Sequence, residues 1–193
     1  MSEISRRLIL AGGLATLAAP ALALGGATLP APELTEVIDP WAGRMLTMSE
    51  RINVETAATR LLTRIGPNDW VDHGMMDNHY RIRMPAHRLF KSRTDQVLPF
   101  GVGMMTLLAE ALAASKGVRI EIVSHCEIRD NTYGAFILTQ RRSAALRAVL
   151  MSRGTDGARV KPTGLGDRFP IAQGHDDAAI LRNRRVEFLI RPL

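Results

Sequence analysis

The sequence predicts an α/β fold of the sandwich type, with helices packed on one face of a small mixed sheet. Three observations predict it. Residues 118–122 alternate strictly between apolar and polar, and Val186, Phe188 and Ile190 hold every second position of 186–190, the two-residue period of a half-buried strand. Residues 98–116 and 133–153 instead space their apolar positions by three and four, the period of a helix face. The two kinds of segment succeed each other along the chain, which is the order of helices layered on a sheet.

Each element has its own signal. Ser49 opens a first helix as its N-cap. Val54, Ala58, Leu61 and Ile65 form one face, and Gly66 stops it. Tyr80-Arg81-Ile82-Arg83-Met84 alternates as a strand and ends at Pro85. In the helix over residues 98–116, Met105, Leu108 and Leu112 share a face, with Gly117 beyond it. Val118, Ile120 and Ile122 point one way from a strand, and Arg119 and Glu121 the other. The helix over residues 133–153 stops at Gly154. Arg159-Val160-Lys161 is a short strand, and Gly164-Leu165-Gly166 is read as a turn. Asp177 caps a short helix reaching Arg182. Val186, Phe188 and Ile190 then alternate with Glu187, Leu189 and Arg191 in a last strand. The order is helix, β-α-β-α-β, short helix, β.

Composition narrows the function classes. Of 193 residues, 46% are hydrophobic, enough for a real core and against global disorder. The formal charge of +6, with an isoelectric point near 10.4, favours anionic partners. The arginines are spread rather than clustered, and aromatics are only 5%, so stacking platforms for nucleic acid are scarce and no nucleic-acid partner is expected. The single cysteine, Cys126, can close neither an internal disulfide nor a structural zinc site.

Residues 1–29 carry an address. Arg6 and Arg7 precede an uncharged run over residues 8–29, and Ala21-Leu22-Ala23 fits a signal-peptidase site. Ser5-Arg6-Arg7-Leu8-Ile9-Leu10 is also similar to a twin-arginine export motif; an ordinary secretory signal holding two arginines is the alternative. Uncleaved, the 22-residue run is long enough to span a bilayer, which needs about 20, and would anchor the chain in the inner membrane. Pro20 and its small neighbours favour cleavage. Either way the following residues are expected in the periplasm. No cysteine follows the run, so no lipid-bearing cysteine is expected there. Pro30, Pro32, Pro40 and Gly43 mark a linker.

Two stretches are rich in chemistry. In SHCEIRDNTYGAFILTQRR, Leu138, Arg142, Ala145 and Val149 fall on one helical stripe that should face the sheet. An arginine there either meets an anion or snorkels its head to water. A planar guanidinium suits a bidentate carboxylate. Glu127 stands at the carboxyl end of a strand, where α/β sheets hold ligands, and can accept an ammonium. His125, Cys126 and Glu127 are consecutive on extended chain, so they do not converge on one metal ion. A Cys126 nucleophile with His125 as base lacks a third, orienting group. The second stretch, DHGMMDNHYRIRMPAH, holds Asp72, His73, Asp77, His79 and His87 at no metal-ligand spacing, and is read as a polar loop before a strand.

IEIVSHCE, LTQRRSAALRAVLMSRG, RVKPTGLGDRFPIA and NRRVEFLI together resemble the C-terminal domain of the outer-membrane protein A family, and RIRMPAHRLFKSRTDQVL resembles that domain's opening strand and Leu-Phe segment. The likeness covers roughly residues 78–193, leaving residues 1–29 as signal or anchor and 30–77 as linker and amphipathic helix. It implies non-covalent binding of peptidoglycan through the diaminopimelate of the stem peptide, anchoring an envelope protein or complex to the cell wall, with no reaction, cofactor or metal. In the family a G-H-T-D aspartate takes the ligand's ammonium and an L-S-x-x-R-A arginine takes its carboxylate. Here Glu127 stands at the aspartate position and Arg142 at the arginine position, at the family spacing of 15 residues. His125, Leu138, Asn183 and Arg185 match further motif positions and join the implied site, with one of Arg184 and Arg185 expected at the pocket rim. Ser124, Cys126, Asp130, Ala135 and Thr139 depart from the pattern. These departures motivate a second expectation: a decayed pocket, with the domain serving as a protein–protein module in an envelope or secretion assembly.

Overall fold

The computed structural model describes residues 43–128, 131–174 and 176–193. The export-signal and anchor readings, most of the linker, and Asp130 fall outside the described residues. Helix α1 (Met48–Ile65) is followed by strands β1 (Asp72–Met75) and β2 (Tyr80–Pro85), a short helix α2 (Ala86–Leu89) and α3 (Pro99–Ala113). Then come β3 (Val118–His125), α4 (Thr132–Ser152), a 3-10 turn (Gly157–Arg159), β4 (Val160–Gly166), α5 (Asp177–Asn183) and β5 (Arg185–Pro192). The strands form one mixed sheet in the order β1-β2-β5-β3-β4. Only β3 and β4 run parallel, joined by α4; the other pairs are antiparallel. This is the predicted α/β class.

The alternation of the strands explains the layering. Tyr80, Ile82 and Met84 of β2, Val118, Ile120 and Ile122 of β3, and Val186, Phe188 and Ile190 of β5 enter one core with α1, α3 and α4. Val54, Ala57, Ala58 and Leu61 bring α1 into that core, and Met105, Leu108 and Leu112 bring α3. Each fully buried large aliphatic or aromatic side chain stabilises by roughly 1.5–3 kcal/mol relative to exposure, so α1 is a structural part of the domain. On the other side of the sheet a small cluster, Val123, Leu165 and Leu189, is built from strand residues alone. Around it lie ion pairs: Glu187 with Arg83 and Arg185, and Glu121 with Lys161. No helix among the described residues is long and apolar enough to cross a membrane.

Four local readings are corrected. Thr47, not Ser49, caps α1. Its hydroxyl accepts from the Glu50 amide, and the Glu50 carboxylate accepts from the Thr47 amide, a reciprocal capping box. Likewise Asp176, not Asp177, caps α5, accepting from the Ala179 amide. The polar stretch at Asp72 is an edge strand, tied to β2 by backbone pairing and by an Asp72–Arg83 ion pair. Gly164-Leu165-Gly166 does not turn the chain but ends β4, beside β3. The glycines are needed because α4 lies on them: a Cβ at Gly164 would sit 2.3 Å from the Gln140 amide nitrogen. At α1's other end Gly66, at φ 76°, closes the helix through its amide to Leu62 O.

Candidate functional site

The carboxyl end of β3 and the first turns of α4 build the site. Asn131 caps α4 by accepting from the Gly134 amide at 2.7 Å. The stripe that faces the sheet is Ala135, Thr139, Arg142, Ser143, Leu146 and Leu150. Arg142 is on it as predicted; Leu138, Ala145 and Val149 are rotated to its half-buried edge. The small residues of the stripe let α4 approach β4 closely, which sets this rotation. Thr139 joins the two elements, its hydroxyl accepting from the Gly166 amide at 3.0 Å.

Arg142 is only 5% exposed. Its Nε donates to the carbonyl of Thr94 at 2.8 Å, and its guanidinium lies 5.0 Å from the centre of the Phe90 ring. Burial lowers its pKa, as does the charge of Arg184; Cys126 and Asp95 act the other way. An arginine keeps its proton under these conditions. The result is a fixed cation between the 90–95 segment, Cys126 and Arg184.

Glu127, half-buried, stands at the same end of the sheet. Its Oε2 accepts from Asn183 Nδ2 at 3.1 Å, and its carbonyl accepts from Arg184 Nε and Nη2 at 3.2 and 3.1 Å. Arg184 and Cys126 thus connect the two predicted poles: both adjoin Glu127 and both act electrostatically on Arg142. Asn183 is buried, and its amide is committed within the chain. Besides Glu127 it serves the amides of Ile171 and Ala172 and the Ala172 carbonyl. It positions Glu127 and braces the 171–172 segment. Leu138 lines a cavity of about 450 Å³ between the 93–95 segment and the start of α4.

His125 and Arg185 lie elsewhere, on the helix-free side. Arg185 is buried, donating to Glu187 Oε1 at 2.7 Å, Phe169 O at 3.0 Å and Asn183 O at 3.4 Å. Of the two arginines, then, Arg184 is the one beside the acid. His125 is 4% exposed, and neither ring nitrogen has a hydrogen-bond partner. Burial depresses its pKa to about 3, helped by Arg185 and Arg83 and opposed by Glu187. The imidazole is therefore neutral at physiological pH. Burial also pushes the Cys126 thiol up, which disfavours the nucleophilic thiolate. No group of three or more His, Cys, Asp or Glu among the described residues is placed to hold a metal ion.

The 90–95 segment was legible only as a family likeness. It is a tight loop: Lys91 N bonds Gln96 O, Thr94 N bonds Lys91 O, and Phe90 bridges Val97. Arg93 at its tip has φ 58°, a left-handed conformation.

Comparison with known proteins follows this geometry. The OmpA family model matches residues 89–184. Lipoprotein YiaD of Escherichia coli is 28% identical over 115 residues, 58% of this chain and 51% of that protein. The peptidoglycan-associated lipoprotein of Pseudomonas aeruginosa is 25% identical over 63% of this chain and 72% of its own. That of Legionella pneumophila is 31% identical over 42% of this chain and 46% of its own. The chain therefore spans only about half the length of two of these relatives. Among solved structures, a MotB-like protein from Desulfovibrio vulgaris superposes with TM-score 0.65 at 20% identity, covering 75% of this chain and 95% of that one. The cell wall anchor of the T6SS from Pseudomonas aeruginosa gives 0.61 at 23% identity, covering 70% and 96%. At such identity these two show a shared fold. The matched residues run from the end of α2 to the start of β5, enclosing both Glu127 and Arg142, and this segment belongs to the OmpA family.

Proposed function

We propose that this domain binds peptidoglycan without a covalent bond, in the periplasm, and anchors an envelope protein or complex to the cell wall. Residues 78–193 carry the wall-binding residues, on a core that α1 completes, behind an export signal or anchor in residues 1–29. The ligand group is the zwitterionic end of diaminopimelate. Arg142 takes its carboxylate and Glu127 its ammonium. Charge-assisted hydrogen bonds at both poles make the pair selective for a group that is anionic and cationic at once.

One observation carries the reading: an acid and an arginine 15 residues apart in sequence stand at one end of the sheet, each held in place by its own partner. Asn183 orients the Glu127 carboxylate and Thr94 O fixes the Arg142 head, so little side-chain entropy remains to be lost on binding. Glutamate supplies the same charge as the family's aspartate with one more methylene, and the Asn183 contact limits its extra freedom.

The test is sedimentation of the exported protein with purified sacculi. The wild type co-sediments; Arg142→Ala and Glu127→Gln each lose at least tenfold in affinity while keeping the native circular dichroism spectrum. Equal binding by wild type and Arg142→Ala refutes the site. If the wild type fails to sediment yet forms one stable crosslinked envelope partner, the protein–protein module is the better reading.

A further inference from the structure

The cavity next to the clamp holds more charge than a single zwitterion requires. Arg93 and Arg141, both exposed, line it, with Asp95 as its one acid. Neither arginine makes an ion pair with a described residue. Its floor is continuous with the clamp, because Thr94, between Arg93 and Asp95, accepts the Arg142 Nε hydrogen bond. Tyr133 and Leu138 add an apolar wall from α4.

Arg93 is the second observation. It is the one non-glycine among the described residues with positive φ. A side chain there is disfavoured relative to glycine. Glycine would suit the loop tip better, so the Arg93 side chain stands there against a local backbone preference. Outliers of this kind gather at ligand clamps. Two guanidinium groups lining one cavity give it a positive charge that favours an anion.

We propose that this cavity is a second carboxylate subsite, in which Arg93 and Arg141 take another carboxylate of the same stem peptide. The inference rests on the peptidoglycan reading above. Two carboxylates fit the chemistry: the α-carboxylate of the isoglutamyl residue next to diaminopimelate, and the peptide's C-terminal carboxylate. Amidation of the one contacted removes its charge and half of its acceptor capacity.

The probe is the soluble tripeptide L-alanyl-γ-D-glutamyl-meso-diaminopimelate, with two versions amidated at one or the other carboxylate, titrated calorimetrically into the exported protein. Arg93→Gly and Arg141→Gln should each weaken the acid tripeptide about tenfold. Arg93→Gly should melt no earlier than wild type, because it relieves the loop. One amidated version should bind wild type about tenfold more weakly and lose little more in either variant, and that version identifies the carboxylate. Variants that bind the acid tripeptide within twofold of wild type overturn the subsite. If this happens while Arg142→Ala has lost binding, the clamp stands and only the subsite falls. A wild type that binds no tripeptide, or an Arg142→Ala that binds as wild type does, removes both.

Discussion

His125 gives this domain an acid-sensitive stability that one substitution should erase. Its imidazole is buried with Arg185 and Arg83 nearby, and its pKa falls from about 6.5 unfolded to about 3 folded. The unfolded chain therefore binds a proton between these values that the folded one refuses. Stability is full above about pH 6.5 and declines as pH falls toward 3. At 1.36 kcal/mol per pH unit, the loss between pH 7 and pH 5 is about 2 kcal/mol. Glu187, whose pKa is lowered from its ordinary value of 4.5, also loses its contribution on acidification, but only below that window. The assay is urea unfolding at pH 7, 6 and 5 for wild type and His125→Leu. Leucine is close in volume and removes two buried nitrogens that have no partner, so it should be no less stable at pH 7. Its stability should be nearly flat to pH 5. A leucine variant that keeps the 2 kcal/mol slope would refute the assignment.

Further outcomes follow from packing and hydrogen bonding. Gly164→Ala drives a methyl into the α4 backbone at Gln140 and Thr139, and should cost at least ~2 kcal/mol in denaturant unfolding; a change below 0.5 kcal/mol, the scale of a neutral surface substitution, would contradict the close approach. Asn183→Ala strips partners from the buried Ala172 amide and from the Glu127 carboxylate, and should cost about 3 kcal/mol. The same variant should bind sacculi more weakly even where it is fully folded, since Glu127 is no longer oriented. Unaltered binding would mean that Asn183 braces the fold alone.

Much of the layering was legible because the strands report their own phase. Val118, Ile120 and Ile122 alternate with Arg119 and Glu121, and the inward set is the one that meets the helices. The same phase decides between Arg184 and Arg185: with Val186 in the core, Arg185 must point to the helix-free side. Thr47-x-x-Glu50 was likewise present as a capping box, masked by Ser49 two residues on. Other features had no local signal. β1 reads DHGM, with no apolar alternation, and is made a strand by pairing to β2 and by the Asp72–Arg83 contact. Gly164 and Gly166 looked like a turn because sequence does not say which backbone will lie against a glycine. Glu127 and Arg142 were picked out through the family likeness, and the structure sets both at one end of the sheet. The loop that pins Arg142 was not legible in that role, since its contact is to a main-chain oxygen, which carries no residue identity.

The placement of α1 has a mechanical consequence. The described chain enters the domain beside the β1–β2 turn, where the Leu46 amide bonds the Asp77 carbonyl at 3.3 Å, and then runs into α1. A tension applied at the N-terminal side is first borne by that bond and by the Thr47–Glu50 box. It then acts on a helix whose apolar face lies against α3 and β5. If Arg142 grips the wall as proposed, a load between it and the N-terminal side passes through the core in series, from α1 through β5 and β3. Such a domain transmits force through its interior instead of peeling from one edge, which is the property a tether needs.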